Sequence, residues 1–272
     1  MQGSLGEKIG EGAMADVHAW APGQVLKLFK AGVRRRTAWY EARMTHAVFA
    51  AGGPAPEVLG ELTLEGRFGI VLPRLDGPTL LQLFHAGVVT PEQAGAILAT
   101  VGLSVHKTPT PPEVLPMRAY MEGSLQLADG QAPEHLAKGI LALIDRLPPD
   151  EGLCHCDLHP GNVIITAEGP RLIDWTGAKR GGAALDLACC HFLLTELVPE
   201  SFGDGERQCA LDAAVRSEYA RLAGMAPAAL AAAIEAHLPI ARVFFLLGAA
   251  ARPATRERLL QRLEADLGFE EA

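Results

Sequence analysis

The sequence predicts an α+β protein of two unequal lobes: a small antiparallel-sheet lobe with one main helix, then a larger, mostly helical lobe. Three observations predict it. Up to Pro73 the chain is a series of short apolar runs separated by glycine turns. After Leu75-Asp76-Gly77-Pro78 it changes to long Ala- and Leu-rich stretches at helical spacing. Between Leu153 and Asp174 that spacing stops for two short β-rich runs. The lobes are accordingly set at residues 1–76 and 77–272, with a hinge near 72–77. A chain of 272 residues, 49% hydrophobic and 21% charged, carries enough apolar side chain for such a core and excludes wholesale disorder.

Within the first lobe the strands fall at Leu5–Ile9, Val17–Trp20, Val25–Phe29, Val58–Leu64 and Phe68–Leu72, with Glu65-Gly66-Arg67 as a hairpin turn. One helix, Thr37–Ala50, interrupts them; Trp39, Arg43, His46, Ala47 and Ala50 recur on it at helical spacing. Arg34-Arg35-Arg36 just before it reads as a solvated helix start. In the second lobe helices begin near Thr79 and again after the cap signal Thr90-Pro91-Glu92. The Pro-rich stretch 108–113 breaks them and is too short for an interdomain linker, so it reads as a surface loop near the cleft. Val163–Thr166 and Arg171–Asp174 bracket a turn at 167–170, and helices resume from about Ala184.

Charge and cysteine usage narrow the function classes. A formal charge of −8 with a single short basic cluster argues against non-specific nucleic-acid binding, which needs clustered Lys and Arg. The N-terminus lacks the basic, apolar and small-residue sequence of a secretory signal. The longest strongly apolar run, 243–251, is far short of the ~20 residues of a membrane span. The five cysteines (Cys154, Cys156, Cys189, Cys190, Cys209) lack the spacing of a disulfide framework and read as reduced thiols, which points to the cytoplasm.

The densest polar cluster is Cys154-His155-Cys156-Asp157-Leu158-His159-Pro160-Gly161-Asn162, followed by the apolar hairpin that ends in Ile173-Asp174-Trp175. Core packing does not call for it. A carboxylate in a loop, an amide before a strand and a second carboxylate after the next strand suit phosphoryl transfer, where positioning and charge compensation carry the rate. Asp157 is the group to orient an acceptor hydroxyl and take its proton. Asn162 and Asp174 offer hard oxygens for Mg2+ beside the phosphates. His155 holds the loop, and His159 is either a ligand contact or a turn residue. Upstream, Ile9-Gly10-Glu11-Gly12-Ala13 lies between two strands as a backbone cradle for phosphates, and Lys27, sharing a strand face with Val25 and Phe29, needs an anionic partner.

The segment His155-Cys156-Asp157-Leu158-His159-Pro160-Gly161-Asn162 resembles the catalytic loop of the aminoglycoside phosphotransferase and choline kinase-like family, and Ile173-Asp174-Trp175 resembles its metal-binding segment. The resemblance implies a protein kinase-like fold and transfer of a γ-phosphoryl group from ATP or GTP to a small-molecule hydroxyl, with Mg2+. By the same resemblance Asp157, Asn162 and Asp174 are catalytic, with Asn162 and Asp174 on the metal. Gly10, Gly12 and Ala13 cover the nucleotide, although Ala15 replaces the third glycine of the protein-kinase form. Lys27 would contact the α- and β-phosphates and pair with Glu41, and Pro73 and Leu75 of the lobe connection would meet the base. His106 is implied to be structural, and Asp186 to hold the catalytic loop through backbone hydrogen bonds.

Three other readings compete. A protein Ser/Thr kinase would carry a long activation segment closing in Ala-Pro-Glu, whereas the stretch from Trp175 to Leu185 is brief. An inactive nucleotide-binding scaffold would be expected to have lost one of Lys27, Glu41, Asp157, Asn162 and Asp174, and all are present. A thiolate metal site from Cys154, Cys156, Cys189 and Cys190 would require distant segments to converge. For the acceptor, the resemblance leaves aminoglycosides, amino alcohols and sugars. The acidic bias of the second lobe (Glu196, Glu200, Asp204, Glu206, Asp212, Glu218, Glu235) is compatible with a cationic one.

Overall fold

The structure, a computed structural model, describes residues 5–127, 134–147, 152–197, 205–248 and 253–269. Five strands, β1 (Lys8–Glu11), β2 (Ala15–Ala19), β3 (Gln24–Phe29), β4 (Gly60–Leu64) and β5 (Arg67–Pro73), pair antiparallel in the order β1-β2-β3-β5-β4. The β4–β5 turn is Glu65-Gly66 alone, since Leu64 already pairs with Arg67. Both residues take positive φ (51° and 75°), the conformation a two-residue hairpin imposes and the reason a glycine stands there. β1 begins three residues later than its apolar run suggests, because Glu7 pairs with Ala19 only through one bond and the ladder shifts register between Lys8 and Gly10.

The single helix of this lobe, α1 (Arg35–Ala50), crosses one face of the sheet. Alternation along β3 sends Phe29 toward Ala38 and Ala42 of α1, while Leu26 and Leu28 pack on the other face with Val71, Leu62 and Leu64. Both faces of β3 are therefore covered, and Lys27, with its side chain 14% exposed, is held in an apolar setting rather than at a wet edge.

The second lobe contains α2 (Leu80–His85), α3 (Pro91–Lys107), α4 (Met117–Leu127) and α5 (Glu134–Asp145), then the short strands and turns of the catalytic segment. It continues with α6 (Ala183–Phe192), which runs into a π-helical turn (Leu193–Leu197), and with α7 (Gly205–Ala223), α8 (Pro227–Leu247) and α9 (Pro253–Asp266). Capping boxes start two of these helices: Thr79 with Gln82 on α2, and Thr90 with Gln93 on α3, where Pro91 fills the first turn. One large core joins α3, α6, α7 and α8 to the catalytic segment. α8 is long and apolar enough, by length and composition, to cross a membrane; half of it is buried in this core, and Arg242 on it is ion-paired to Glu196 and Asp266.

Where the lobes meet, β5 ends at Pro73 and the connection docks on the second lobe. The Ile165 amide donates to the Pro78 carbonyl (2.9 Å) and Thr79 bridges Ile164. Gly77 takes φ +155°, and a Cβ there would lie 1.9 Å from the Ile165 carbonyl oxygen, so only glycine lets the two backbones come this close.

Candidate active site

The catalytic segment is a set of small elements: β6 (Leu153–Cys154), a 3-10 turn (Pro160–Asn162), the hairpin β7 (Val163–Thr166) and β8 (Gly169–Leu172), a second 3-10 turn (Trp175–Gly177) and β9 (Lys179–Arg180). β6 pairs with β9, so the loop after β6 and the turn before β9 are brought side by side. The hairpin turn is tighter than its sequence suggested, and β8 ends at Leu172, two residues short of Asp174. Ile173 still donates to the Asn162 carbonyl (2.9 Å), after which the chain turns at Asp174 with φ 63° and ψ 73°. Cys156, φ 60°, makes a similar turn in the facing loop. Among the described residues only Glu65 shares this left-handed backbone without being glycine, so two of three such positions flank the site.

Asp186, at the start of α6, supports the loop. Its carboxylate is fully buried and accepts from the backbone N–H of His155 (3.1 Å) and Cys156 (2.6 Å). It also meets His106 Nε2 at 2.9 Å, whose other ring nitrogen contacts the Tyr219 hydroxyl. Burial would raise the Asp186 pKa, but His106, the nearby His155 and the Cys156 amide outweigh it and hold the carboxylate below its ordinary value. His155 is buried against Trp175; its Nε2 meets the Ile173 carbonyl and its Nδ1 receives the Asp157 amide. His159 caps the Pro160–Asn162 turn by accepting from the Gly161 N–H, which gives the turn role of its two expected ones.

The polar centre follows. Asn162 donates through Nδ2 to the Asp157 carbonyl (2.9 Å) and to Asp157 Oδ2 (2.8 Å), so Oδ1 of Asp157 is left to face the cleft, 3.8 Å from His159 Nε2. Lys27 reaches across from β3, ion-pairs with Glu41 of α1 and stands 3.4 Å from Asp174 Oδ2. The Thr176 hydroxyl lies 2.9 Å from Glu41 Oε2 and 2.7 Å from Asp174 Oδ1, and its one proton serves one carboxylate at a time. Burial works against charge at every one of these groups. It loses at Lys27, raised by Glu41 and Asp174, and at Asp174, lowered by Lys27 and Thr176. It wins at Glu41 and at Asp157, whose pKa is raised well above the ordinary carboxylate value by desolvation and by the charge of Asp174.

Glu41 and Asp174 thus share one ammonium with Asp157 close by, a crowd of carboxyl groups that a divalent cation would help to hold ionised. Asp174 and the Asn162 amide oxygen are a hard-oxygen pair of the kind that leaves most of the coordination shell to water and phosphate, as Mg2+ prefers. Among the described residues no group of three or more His, Cys, Asp or Glu forms a self-sufficient metal cage.

On the other side of Asp157 lies a cavity of about 890 Å3 between α1, α4, α8, α9, the 113–115 loop and β9. Asp157 and Thr176 line it; Lys27, Asp174, Pro73 and Leu75 do not. The Asn162 contact and the cavity thus meet at Asp157.

A family model described as the phosphotransferase enzyme family (APH) matches residues 9–225. The chain belongs to the phosphotransferase enzyme family. It is an enzyme of the small-molecule kinase type with the two-lobed kinase-like fold. Similar solved structures include a thermostable mutant of aminoglycoside phosphotransferase APH(4)-Ia in a ternary complex with AMP-PNP and hygromycin B (TM-score 0.64, 17% identity, 98% of this chain and 94% of that one). A choline/ethanolamine kinase family protein from Mesorhizobium loti is another (TM-score 0.60, 18% identity, 97% and 87%). A third is the GDP and kanamycin complex of APH(2")-IIia (TM-score 0.58, 14% identity, 98% and 95%). No curated protein sequence matches.

In this phosphotransferase Gly10 sits in the β1–β2 ladder opposite Val17, and Gly12 and Ala13 form the exposed turn, closed by the Gly12 amide to the Ala15 carbonyl (2.8 Å). Pro73 pairs with Gln24 and Leu75 follows on the connection. Trp175 leads within five residues into β9 and then α6, which leaves no long peptide-docking segment. The cysteine expectation needs correcting on one point. The segments do converge, since the Cys154 and Cys189 thiols hydrogen-bond Cys156, but all four thiols are buried in the core and make no metal cage.

Sequence reasoning missed Thr176, Tyr40 and Lys179. Thr176, two residues after Asp174, had a signal in its hydroxyl and spacing. Lys179 had none, for Lys179-Arg180 looks like a solvated basic pair until β9 turns the lysine inward. Arg36, read as a solvated helix start, is exposed but lines the mouth of the cavity.

Proposed function

We propose that the protein transfers the γ-phosphoryl group of ATP or GTP to a hydroxyl of a small molecule, with Mg2+, in the cytoplasm. The observation that carries the reading is the pair of contact groups Asn162–Asp157 and Asp174–Lys27–Glu41, drawn from both lobes. Asp157 Oδ1 accepts the proton of the acceptor hydroxyl as its oxygen attacks the γ-phosphorus and the bond to the β-phosphate oxygen breaks. The raised Asp157 pKa makes it a better base for this transfer. Lys27, oriented by Glu41, compensates phosphate charge, and the Gly10-Glu11-Gly12-Ala13 turn supplies backbone amides above the phosphates. Pro73 and Leu75 flank the base. Asn162 and Asp174 would hold the Mg2+, which when bound neutralises charge on the phosphates.

The acceptor classes open to this family reading are aminoglycosides, amino alcohols and sugars. The test is acceptor-dependent release of nucleoside diphosphate from ATP or GTP over such a panel, with Asp157→Ala as control. A hit abolished by the substitution supports the reading. Turnover that survives Asp157→Ala overturns the assignment of the base, and a chain that binds no nucleotide overturns the reading itself.

A further inference from the structure

The cavity beside Asp157 has a charge pattern opposite to that of the lobe around it. Of the acidic residues that suggested a cationic acceptor, Glu200 and Asp204 lie outside the described residues, and none of the others lines the cavity. Glu196 is bound to Arg242, Asp212 lies between His191 and Arg216, and Glu218 is held by Arg221. Among the described residues the cavity wall is instead aromatic and aliphatic, and its charged residues besides Asp157 are Arg36, Arg43, Lys179 and Glu113. Arg43 stacks over Trp39 (4.6 Å), and neither it nor Arg36 pairs with a carboxylate among the described residues.

Lys179 settles the sign. Its side chain is nearly fully buried, yet its ammonium has only the carbonyls of Gly177 (3.2 Å) and Ala178 (3.0 Å) as hydrogen-bond acceptors. Three rings surround it: Tyr120 at 4.4 Å, Tyr40 at 4.9 Å and Phe244 at 5.8 Å. Such an aromatic cage is what would receive the cationic head of an amino alcohol or aminoglycoside. Here the chain's own ammonium already fills it, and a second cation would meet repulsion where it should meet attraction. A buried ammonium without a carboxylate is instead one partner short of a salt bridge.

We propose that the acceptor is a hydroxylated small molecule with an apolar body and an anionic group, a carboxylate or a phosphate. Its anion is held by Lys179 with Arg36 and Arg43 at the mouth, its body lies on the aromatic wall, and its hydroxyl meets Asp157. The inference rests on the kinase reading above and names its substrate class.

The experiment uses the full chain with Mg2+ and nucleotide, and probes matched except in charge: 4-(hydroxymethyl)benzoate, 4-(hydroxymethyl)phenyl phosphate, 4-(hydroxymethyl)benzamide and 4-(hydroxymethyl)benzylamine, with kanamycin as a polycation. Binding is read by titration calorimetry with ADP present, and transfer by diphosphate release with ATP or GTP. An anionic probe is expected to bind about tenfold or more tighter than the amine, with the carboxylate and phosphate arms showing which anion is preferred. Lys179→Met should erase that ratio while nucleotide affinity is kept, and Arg36→Gln with Arg43→Gln on the exposed rim should reduce it severalfold. Preference for the amine or kanamycin, no binding of any probe, or a ratio unchanged in both variants overturns the proposal. Charge-selective binding without transfer of any probe would instead count against the kinase reading and leave the anion site standing.

Discussion

The two sides of Asp157 are built on different plans. On the nucleotide side, groups of opposite charge are in direct contact: Lys27 with Glu41 and Asp174, Thr176 between the two carboxylates, and Asn162 on Asp157. On the cavity side, charges sit apart over aromatic rings, and the buried Lys179 ammonium has carbonyls, rings and the Cys156 thiol beside it but no carboxylate. A side whose charges already satisfy one another is pre-paired and rigid. A side that must recognise one acceptor leaves its charges open for that acceptor to complete.

This contrast can be broken most directly at the nucleotide side. Asp157→Ala and Asp174→Ala should each lower transfer by about a thousandfold while circular dichroism stays native; near-normal turnover in either would mean that its contacts are structural. Asp186→Ala should act through the loop rather than the chemistry. It strips two backbone amides and His106 of their buried partner, so unfolding in denaturant should come easier by about 3 kcal/mol, and a variant of unchanged midpoint would contradict the support role.

On the cavity side the expected sign is reversed. Burial pulls the Lys179 pKa down to about 8, so in the native state the ammonium is disfavoured relative to the unfolded chain, where its pKa is the ordinary 10.5. The folded state carries that penalty below pH 8 and sheds it as pH rises from 8 toward 10.5, because the unfolded chain then binds more protons. Lys179→Met should therefore stabilise the protein at pH 7, by on the order of 3 kcal/mol, and flatten the rise in wild-type stability between pH 8 and 10. Denaturant midpoints across that range decide it, and a destabilised methionine variant would mean that the rings and carbonyls fully satisfy the charge. The smallest effect is expected at Thr176→Val. It removes a single charge-assisted hydrogen bond and should slow turnover about tenfold with nucleotide affinity little changed.

The same contrast governed what could be read from the sequence. Asp157, Asn162 and Asp174 fall within 18 residues of one another and Lys27 follows a glycine turn, so short-range order marks them, whereas Asp186 was marked only by the family resemblance. The lobes and most elements were legible too, since alternation in β3 and the caps Thr79 and Thr90 are local signals. Strand ends were less so: β8 stops at Leu172 because Asp174 turns left-handed to meet Lys27, a tertiary demand no local pattern expresses. The cavity was not legible at all. Arg36, Tyr40, Tyr120, Lys179 and Phe244 come from four separate elements, and only packing brings them together. Nor could composition place the acidic residues of this lobe: Asp212, Glu218 and Glu196 are each bound to an arginine away from the cavity.

The docking of the lobe connection has a mechanical consequence. Pro78 and Thr79 are bonded to Ile165 and Ile164, on the same hairpin that starts at Asn162 and leads to Asp174. The connection is tied to the sheet through Pro73 and the Arg74 amide, which donates to the Gly23 carbonyl, so a swing of the first lobe must be absorbed between Leu75 and Gly77, and Gly77 is already confined by its closeness to Ile165. The lever is short, and its fulcrum is the scaffold of the proposed metal ligands. Opening the cleft to exchange nucleotide should therefore tug on that hairpin, coupling the timing of product release to the seating of Asn162 and Asp174.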